Sequence, residues 1–213
     1  VLAVYYAESF QNTELLDLVR ASGIRLHDIS DELMEKASTT VTSQGIFAVC
    51  RQASRRPNYE TSCSVITILD AVQDPGNLGT ILRTVDSVGV KQLIVSKGTA
   101  DVYNSKGVRS SMGAIFRVEV IEVDNLKDTI ETIRRNGYEL LVTSLQTDNS
   151  IYDINYNKKV IVIGNEANGV SKEIQDMADK KVKIPMLGKT ESLNASVATG
   201  IILYEYVRQK LKK

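Results

Sequence analysis

The sequence lacks several features that would each indicate a particular class of protein. It has only two cysteines in 213 residues, Cys50 and Cys63, which form neither a C-x-x-C pair nor a disulfide framework. We interpret both as reduced thiols. No apolar run approaches the roughly 20 residues that a membrane helix needs, and no basic segment followed by a signal-peptide core opens the chain. We therefore expect a cytoplasmic protein without membrane contact.

Neither sign of charge is in excess, since 26 basic side chains balance 26 acidic ones. Affinity for a phosphate backbone grows with each charge that is neutralised, so this balance argues against a strong nonspecific nucleic-acid binder but allows a local basic patch. The composition, 43% hydrophobic, is that of one large or two small globular domains. The single histidine, His27, stands outside every motif described below, so we expect no metal site.

Strands and helices alternate after residue 64, which predicts an α/β domain. Residues 65–72 are a continuous apolar, β-branched run of strand length, as in buried parallel strands. The later pattern predicts, in order, helix 78–88, strand 91–96, strand 117–123, helix 125–136, strand 138–143, strand 159–163, helix 171–178, strand 181–184 and helix 194–212.

A smaller unit precedes this domain, and its pattern predicts strand 1–6, helix 13–22, strand 26–29, helix 31–37 and strand 45–51. The opening strand has nothing before it to pair with, and the first residue is Val1 rather than Met, so we expect the N-terminus to be incomplete. Residues 52–63 are polar, contain Arg55, Arg56 and Pro57, and resemble an interdomain linker. We therefore place the two domains at 1–51 and 64–213.

Three loops contain the candidate chemistry. The first, Asp74-Pro-Gly-Asn77-Leu-Gly79, follows the first buried strand, and Arg83 lies one turn into the next helix. Glycines allow a ligand to approach the backbone, and a helix N-terminus offers unpaired N–H groups to an anion. On spacing alone a plain strand-to-helix turn is equally well supported. Because the Walker loop and the dinucleotide-binding G-x-G-x-x-G are both missing, a Rossmann-type oxidoreductase is disfavoured.

The second loop, Gly164-Asn-Glu166-Ala-Asn-Gly169, follows another buried strand at the sheet edge where open α/β sheets bind ligands, although alone it is more typical of a simple turn. The third stretch runs from Ile184-Pro-Met to Ser192-Leu-Asn194, where a polar residue that only caps the next helix is the plainer interpretation. That helix is apolar almost all round, which favours burial against a partner subunit as well as the home sheet.

In order and spacing, Asn77-x-Gly79-x3-Arg83, Gly164-Asn-Glu166-x2-Gly169 and Ile184-Pro-Met-x5-Ser192-Leu-Asn194 together resemble the three motifs of the SpoU (TrmH-like) RNA ribose 2′-O-methyltransferases. The resemblance implies an α/β SPOUT-type parallel sheet with a C-terminal trefoil knot, preceded by a ribosomal-protein-like substrate-binding domain. It also implies methyl transfer from S-adenosylmethionine to a ribose 2′-hydroxyl of structured RNA, in a homodimer formed through the C-terminal helix.

The resemblance assigns roles to individual residues. It implies a catalytic group made of Arg83, Asn77, Glu166, Ser192 and Asn194. It implies cofactor contacts, mostly through the backbone, at Thr143, Ser144, Gly164, Asn165, Ile184, Met186 and Leu193. We expect RNA contacts from a local basic patch of Lys106, Arg109, Arg55 and Arg56.

Arg83 presents a chemical difficulty, because a guanidinium does not lose its proton in proteins and is a poor base. We therefore interpret Arg83 as a donor that fixes the adjacent phosphate and polarises the hydroxyl, with Asn77 nearby to orient it. The small first domain favours ribosomal RNA as the substrate by analogy. The alternatives are a transfer-RNA ribose methyltransferase and a noncatalytic RNA-binding module on the same fold.

Overall fold

The computed structural model describes residues 1–38, 42–52 and 63–212. The chain forms two compact units, Val1–Ser54 and Arg55–Lys213. Of the predicted linker, only residues 52 and 63 are described, so Arg55 and Arg56 lie outside the described residues. Cys50 and Cys63 are both free thiols. In the described part of the chain, no helix combines the length and apolarity needed to cross a membrane.

The N-terminal unit contains a small mixed sheet. Its strands pair in the order β2-β1-β3, with bounds β1 Ala3–Ala7, β2 Arg25–Ile29 and β3 Ile46–Val49. Its helices are α1 Thr13–Ala21 and α2 Asp31–Ala37. Two later strands pair with the two edges of β1, β2 in parallel and β3 antiparallel.

The C-terminal unit contains a six-stranded parallel sheet, which confirms the predicted α/β class. Its strands lie in the order β6-β5-β4-β8-β7-β9, with bounds β4 Val65–Asp70, β5 Gln92–Ser96, β6 Glu119–Val123, β7 Glu139–Thr143, β8 Lys159–Gly164 and β9 Lys180–Val182. The helices are α3 Pro75–Ser87, α4 Ser105–Ser110, α5 Leu126–Arg135, α6 Lys172–Asp176 and α7 Ala195–Leu211.

Side chains of this sheet alternate between two apolar layers. Val65 and Leu69 of β4 pack with α3 and α7 on one face, whereas Ile66 and Ile68 pack with α5 and α6 on the other. Every residue of β4 is buried. A strand covered on both faces has no solvent side, which explains why its sequence is continuously apolar rather than alternating.

The carboxyl ends of four neighbouring strands form the edge that holds the three motifs. In the strand pairing, Asp70 of β4 is opposite Gly164 of β8, and Thr143 of β7 is opposite Val182 of β9. The strand order reverses direction between β4 and β8, because β5 and β6 lie on one side and the later strands on the other. Open α/β sheets bind ligands at such a switch point.

The first motif lies on a helix rather than in a loop. α3 begins at Pro75, three residues before the predicted start, because the Asp74 Oδ1 accepts a hydrogen bond from the Asn77 backbone N–H at 2.8 Å and proline suits the first helical position. The short helix α4, which the sequence pattern does not predict, packs against α3. At the contact, a Cβ added to Gly79 would lie 2.3 Å from the Gly107 carbonyl oxygen, so this approach requires glycine.

Candidate active site

Side chains from the three motifs form one hydrogen-bond network at the carboxyl edge of the sheet. Asn77 Nδ2 donates to Glu166 Oε1 at 2.9 Å, and Asn194 Nδ2 donates to Asn77 Oδ1, also at 2.9 Å. The partners are separated by 89 and 117 positions in the sequence. The strand order therefore brings together three of the residues that the resemblance groups as catalytic.

Glu166 is the acceptor at the centre of this network. Besides Asn77, the backbone N–H groups of Gln73 and Asp74 donate to its carboxylate at 3.1 and 3.3 Å. Burial raises the pKa of Glu166, but the hydrogen bonds from Asn77, Gln73 and Asp74 lower it by more, so its pKa lies below the ordinary value. Glu166 is therefore an ionised, fixed acceptor that holds the first motif in place, and it is poorly suited to donate a proton.

The Glu166 contacts predict a stability difference that depends on pH. Because the folded-state pKa is lowered, the ionised carboxylate stabilises the fold above the ordinary glutamate value of 4.5, and this contribution is lost as the pH falls through the folded-state pKa. We expect Glu166→Gln to be less stable than the parent at neutral pH, by a margin that shrinks below pH 4.5. Urea denaturation of parent and variant, at neutral pH and below pH 4.5, measures the difference in the free energy of unfolding. Glu122→Gln, at an exposed carboxylate of β6, is the control, and a constant margin would contradict the assignment.

Asn194 has two functions in the structure. Its Oδ1 accepts hydrogen bonds from the backbone N–H groups of Ser196 at 2.9 Å and Val197 at 3.3 Å, so it caps α7 as the plainer interpretation expects. Its Nδ2 also reaches Asn77. The amide nitrogens of Asn77 and Asn194 each keep a second N–H that no described residue accepts, which leaves two donors for a ligand oxygen.

A cavity of about 650 Å³ opens beside the network, within the usual size range of small-molecule pockets. All of the residues expected to contact the cofactor line this cavity: Thr143, Ser144, Gly164, Asn165, Ile184, Met186 and Leu193. Glu166, Ser192 and Asn194 line it as well. The ends of β7, β8 and β9 therefore supply the wall that the resemblance predicts for a cofactor.

The cavity wall depends on a close backbone contact at Gly164. A Cβ added to Gly164 would lie 2.1 Å from the Gly169 carbonyl carbon and from the Val170 nitrogen, closer than atoms can approach. The backbones of Asn165 and Gly169 exchange hydrogen bonds of 3.0 and 2.9 Å, which close the loop. Only glycine at position 164 permits this fold-back.

The side chain of Asn165 is used inside the protein. Its Nδ2 donates to the Ala71 carbonyl oxygen at 2.8 Å, and its Oδ1 accepts from the backbone N–H groups of Ala167 and Asn168 at 2.9 and 3.0 Å. Asn165 thus shapes the loop that forms the cavity wall. These contacts leave one N–H of the Asn165 amide without an acceptor among the described residues.

The cavity combines polar groups with apolar surface. Ile163, Ile184 and Ile202 contribute apolar side chains, whereas Thr143 and Ser144 contribute hydroxyl groups. S-adenosylmethionine has a flat, weakly polar base and a charged amino-acid part, and a lining of this kind fits such a molecule. Further lining residues come from the segments after β7, β8 and β9 and were not predicted: Leu145, Gln146, Ala167, Asn168, Lys183 and Glu191.

Arg83 lies apart from the network. It is exposed on α3, lies outside the cavity lining, and forms no hydrogen bond or ion pair with any residue that the structure describes. Arg83 is six positions after Asn77, which places it about 9 Å further along the helix axis and on another face. The amide of Asn77 instead contacts Glu166 and Asn194. The Asn77 amide is therefore occupied by other partners in the structure, and the Arg83 guanidinium is available for a phosphate.

The two described members of the predicted basic patch both lie on α4. Lys106 Nζ contacts Asp74 Oδ2 at 2.7 Å, and this hydrogen bond lowers the pKa of Asp74. The contact attaches α4 to the start of α3, and Arg109 is exposed one turn further along. Asp74 is a structural residue of the site that the sequence analysis gave no role, although aspartate before proline is a helix-start signal. Among the described residues, no group of three or more His, Cys, Asp or Glu is placed to hold a metal ion.

Comparison with known proteins gives consistent results. Residues 64–204 match the model of the SpoU rRNA methylase family. The chain is 33% identical over 184 residues to the 23S rRNA guanosine 2′-O-methyltransferase RlmP of Bacillus subtilis, covering 86% of this chain and 73% of that protein. It is 33% identical over 210 residues to the 23S rRNA guanosine-2′-O-methyltransferase RlmB of Xanthomonas axonopodis pv. citri, covering 93% and 84%.

Solved structures agree with these sequence matches. The SpoU methyltransferase AviRb from Streptomyces viridochromogenes in complex with the cofactor AdoMet superposes with a TM-score of 0.88 at 28% identity, covering 99% of this chain and 83% of that chain. An AdoMet-bound rRNA methyltransferase from Sinorhizobium meliloti superposes with a TM-score of 0.82 at 28% identity, covering 98% and 80%.

Proposed function

The chain belongs to the SpoU rRNA methylase family, and from this premise we propose that it methylates a ribose 2′-hydroxyl of ribosomal RNA at the site formed by the three motifs. It is an RNA 2′-O-ribose methyltransferase that uses S-adenosylmethionine. The observation that carries the site assignment is the Asn194–Asn77–Glu166 network beside the cavity. A module that only binds RNA has no need for this network next to a pocket of cofactor size.

The site works mainly by positioning. Bound S-adenosylmethionine would supply a methyl group from its sulfonium: the ribose oxygen would take the methyl, a neutral thioether would leave, and the hydroxyl proton would pass to solvent water. The ribose oxygen must be held in line with that methyl, and holding reactants in such geometry lowers a barrier by several kcal/mol. The spare amide N–H groups of Asn77 and Asn194 are suited to hold ribose or phosphate oxygens, and Ser192 adds a hydroxyl. The lowered pKa of Glu166 makes it a weak base, so its role is to fix Asn77.

Arg83 and the α4 cations complete the RNA side of this proposal. A guanidinium presents a planar fork that matches a phosphate, and exposed Arg83 has no competing partner among the described residues. Lys106 and Arg109 follow along α4, which packs on the same helix. We propose that Arg83 binds the phosphate next to the target ribose and that the α4 cations bind neighbouring phosphates of the RNA.

Two measurements on the purified protein test the function. Isothermal titration calorimetry with S-adenosylmethionine should detect binding at one site per chain, and radiolabelled cofactor should transfer methyl groups to unmodified ribosomal RNA. RNA binding with no cofactor binding would favour the noncatalytic module. Methyl transfer to transfer RNA but not to ribosomal RNA would favour the other alternative.

The C-terminal trefoil knot is part of the proposal. The segment after β9 passes the cavity at Ile184 and Met186, and α7 then packs against α3 and β8 at the centre of the sheet. The chain thus returns from the edge strand β9 to the loops that contain the motifs. A C-terminal knot in a SPOUT sheet requires such a return. A knotted backbone holds the cavity wall without a covalent crosslink.

We further propose that the enzyme is a homodimer through α7. Val197 and Tyr204, seven residues apart on one face of α7, are 50% and 55% exposed, whereas the other residues of the helix up to Val207 are buried or half-buried. Tyr204 Oη lies 3.3 Å from Ser87 Oγ of α3, so the exposed face borders the helix that carries Arg83. A partner subunit covering this face would complete the site with residues of a second chain.

Sedimentation at micromolar concentration is expected to give twice the chain mass, and Tyr204→Asp is expected to shift the protein to monomer by burying a charge at the interface. Leu18→Asp is the control, because it introduces the same charge at a residue that is 64% exposed and belongs to α1 of the first unit, outside α7. A parent protein that sediments as a monomer with full activity would contradict the dimer.

The proposed division of labour between domains 1–51 and 64–213 gives another prediction. The motifs and cavity all lie in the second unit, and contacts that position RNA need not touch the reacting ribose. Deleting residues 1–56 is therefore expected to leave cofactor affinity within about twofold and to lower methylation of structured ribosomal RNA at least about tenfold. Calorimetry and methyl transfer measure the two effects. Equal methylation by both forms would show that the first unit does not select RNA.

A further inference from the structure

The turn that leads into the first motif has a strained backbone. Ala71, which directly follows β4, has φ of +56°, in the left-handed region that residues with a Cβ rarely adopt. Such conformations persist only where surrounding contacts hold them, and they cluster at functional sites. The question is which contacts hold Ala71.

Hydrogen bonds hold both backbone polar groups of Ala71, the N–H and the carbonyl oxygen. Its N–H donates to Ser96 Oγ at 2.9 Å, and its carbonyl oxygen accepts from Asn165 Nδ2 at 2.8 Å. Ser96 ends β5 and Asn165 follows β8, the two strands that flank β4. The turn is therefore braced from both neighbouring strands.

Ser96 is itself held by a buried carboxylate. Its hydroxyl lies within donating distance of Asp70 Oδ1 at 3.3 Å and of the Lys97 carbonyl oxygen at 3.4 Å, and Asp70 Oδ2 accepts from the Ser171 backbone N–H at 2.8 Å. The two residues are only 6% and 8% exposed. The contacts form a continuous path from β5 through β4 to the start of α6.

The direction of this turn determines where Glu166 finds its donors. The N–H groups that contact the Glu166 carboxylate belong to Gln73 and Asp74, two and three residues after Ala71. A different φ at Ala71 would turn both groups away. Asn77, in the first turn of the helix that Asp74 caps, would move with them.

We propose that Ser96, supported by Asp70, is a positioning residue for methyl transfer: it holds Ala71 in the left-handed conformation and thereby aims the Gln73 and Asp74 N–H groups at Glu166. The inference rests on the proposed function and adds residues outside the three motifs. The simpler interpretation is that the Ser96 hydroxyl only satisfies a buried hydrogen bond and supports stability without affecting the reaction.

A rescue experiment separates the two interpretations. Glycine adopts positive φ about as readily as negative φ, so Ala71→Gly removes the strain that Ser96 offsets. Ser96→Ala is expected to lower kcat about tenfold, because a small displacement at a reaction site is costly, with KM for ribosomal RNA and cofactor affinity within about twofold. Adding Ala71→Gly to Ser96→Ala should return kcat to within about threefold of the parent.

The controls and contrary outcomes are as follows. Thr129→Ala removes another buried hydroxyl, on α5, and should leave kcat unchanged. An unchanged kcat in Ser96→Ala, or a loss that Ala71→Gly does not reverse, would overturn the proposal. If Ser96→Ala does not fold, Ser96→Cys keeps a side chain of similar shape with a weaker acceptor, and a smaller kcat loss that Ala71→Gly reverses is expected.

A second readout needs no activity. Amide hydrogen exchange at Gln73 and Asp74 should accelerate at least about tenfold in Ser96→Ala and slow again when Ala71→Gly is added. If the parent protein is inactive but the variants show this exchange pattern, the proposed function is refuted, whereas the holding of Ala71 by Ser96 is supported. If the parent is active and Ser96→Ala leaves the exchange rates unchanged, only the positioning role of Ser96 is refuted.

Discussion

Replacing Arg83 by alanine is expected to lower methyl transfer by about 10²- to 10³-fold, the usual effect of removing one preorganised donor from a reaction site. Cofactor affinity should stay within about twofold, because Arg83 lies outside the cavity lining and forms no hydrogen bond or ion pair with a described residue. For the same reason the alanine variant should fold normally. Single-turnover methyl transfer and calorimetry measure the two quantities.

Arg83→Lys distinguishes the donor geometry from the charge. Lysine keeps the positive charge but loses the planar fork, so an intermediate rate is expected if the guanidinium holds a phosphate. Arg109→Ala, at another exposed cation, should weaken RNA binding with little effect on the single-turnover rate. A large loss of cofactor affinity in Arg83→Ala would mean that Arg83 is assigned to the wrong side of the reaction.

Replacing Gly164 by alanine is expected to lower cofactor affinity by about 10- to 100-fold. The new Cβ would lie 2.1 Å from the Gly169 carbonyl carbon and the Val170 nitrogen, so the loop that forms the cavity wall must move. Overpacking of this kind typically costs about 1–3 kcal/mol. The loss should appear in calorimetry with S-adenosylmethionine and in a lower melting temperature.

Gly188→Ala is the matched control, since an added Cβ at Gly188 meets nothing within 4 Å. This control tests whether replacing any glycine of the motif loops by alanine lowers the affinity for the cofactor. Cofactor affinity in this variant should remain within about twofold of the parent. If Gly164→Ala binds the cofactor as tightly as the parent, the cavity beside Gly164 is not the cofactor site.

The elements predicted well are those whose signals are local. β4 has a continuous apolar run because both of its faces are covered. The bounds of α2 match the prediction because Ser30 supplies a side-chain cap at its start. The start of α3 was placed too late, although Asp74 and Pro75 contain the signal for it.

Elements that depend on distant contacts could not be predicted from the pattern. α4 has six residues and little apolar periodicity, and its position follows from the Gly79–Gly107 contact. The central position of β1 depends on strands that come later in the chain. Tertiary packing, which a local window does not contain, decides both.

The candidate site shows the same division. The motif order identified Asn77, Glu166 and Asn194, but their mutual hydrogen bonds follow from the strand order of the sheet. The hydrogen bond from Ala71 to Ser96 could not be predicted from the sequence. Neither an alanine in this turn nor a serine at the end of a strand indicates a left-handed backbone. Glycine or asparagine is the usual indication of positive φ.

The most direct test of the account is a map of 2′-O-methylated riboses in ribosomal RNA from cells with and without this protein. We expect the methyl group at a single defined nucleotide to disappear without the protein, to return with the parent chain, and to stay absent with Arg83→Ala. Identical ribosomal RNA maps in the presence and absence of the protein would contradict the proposed function.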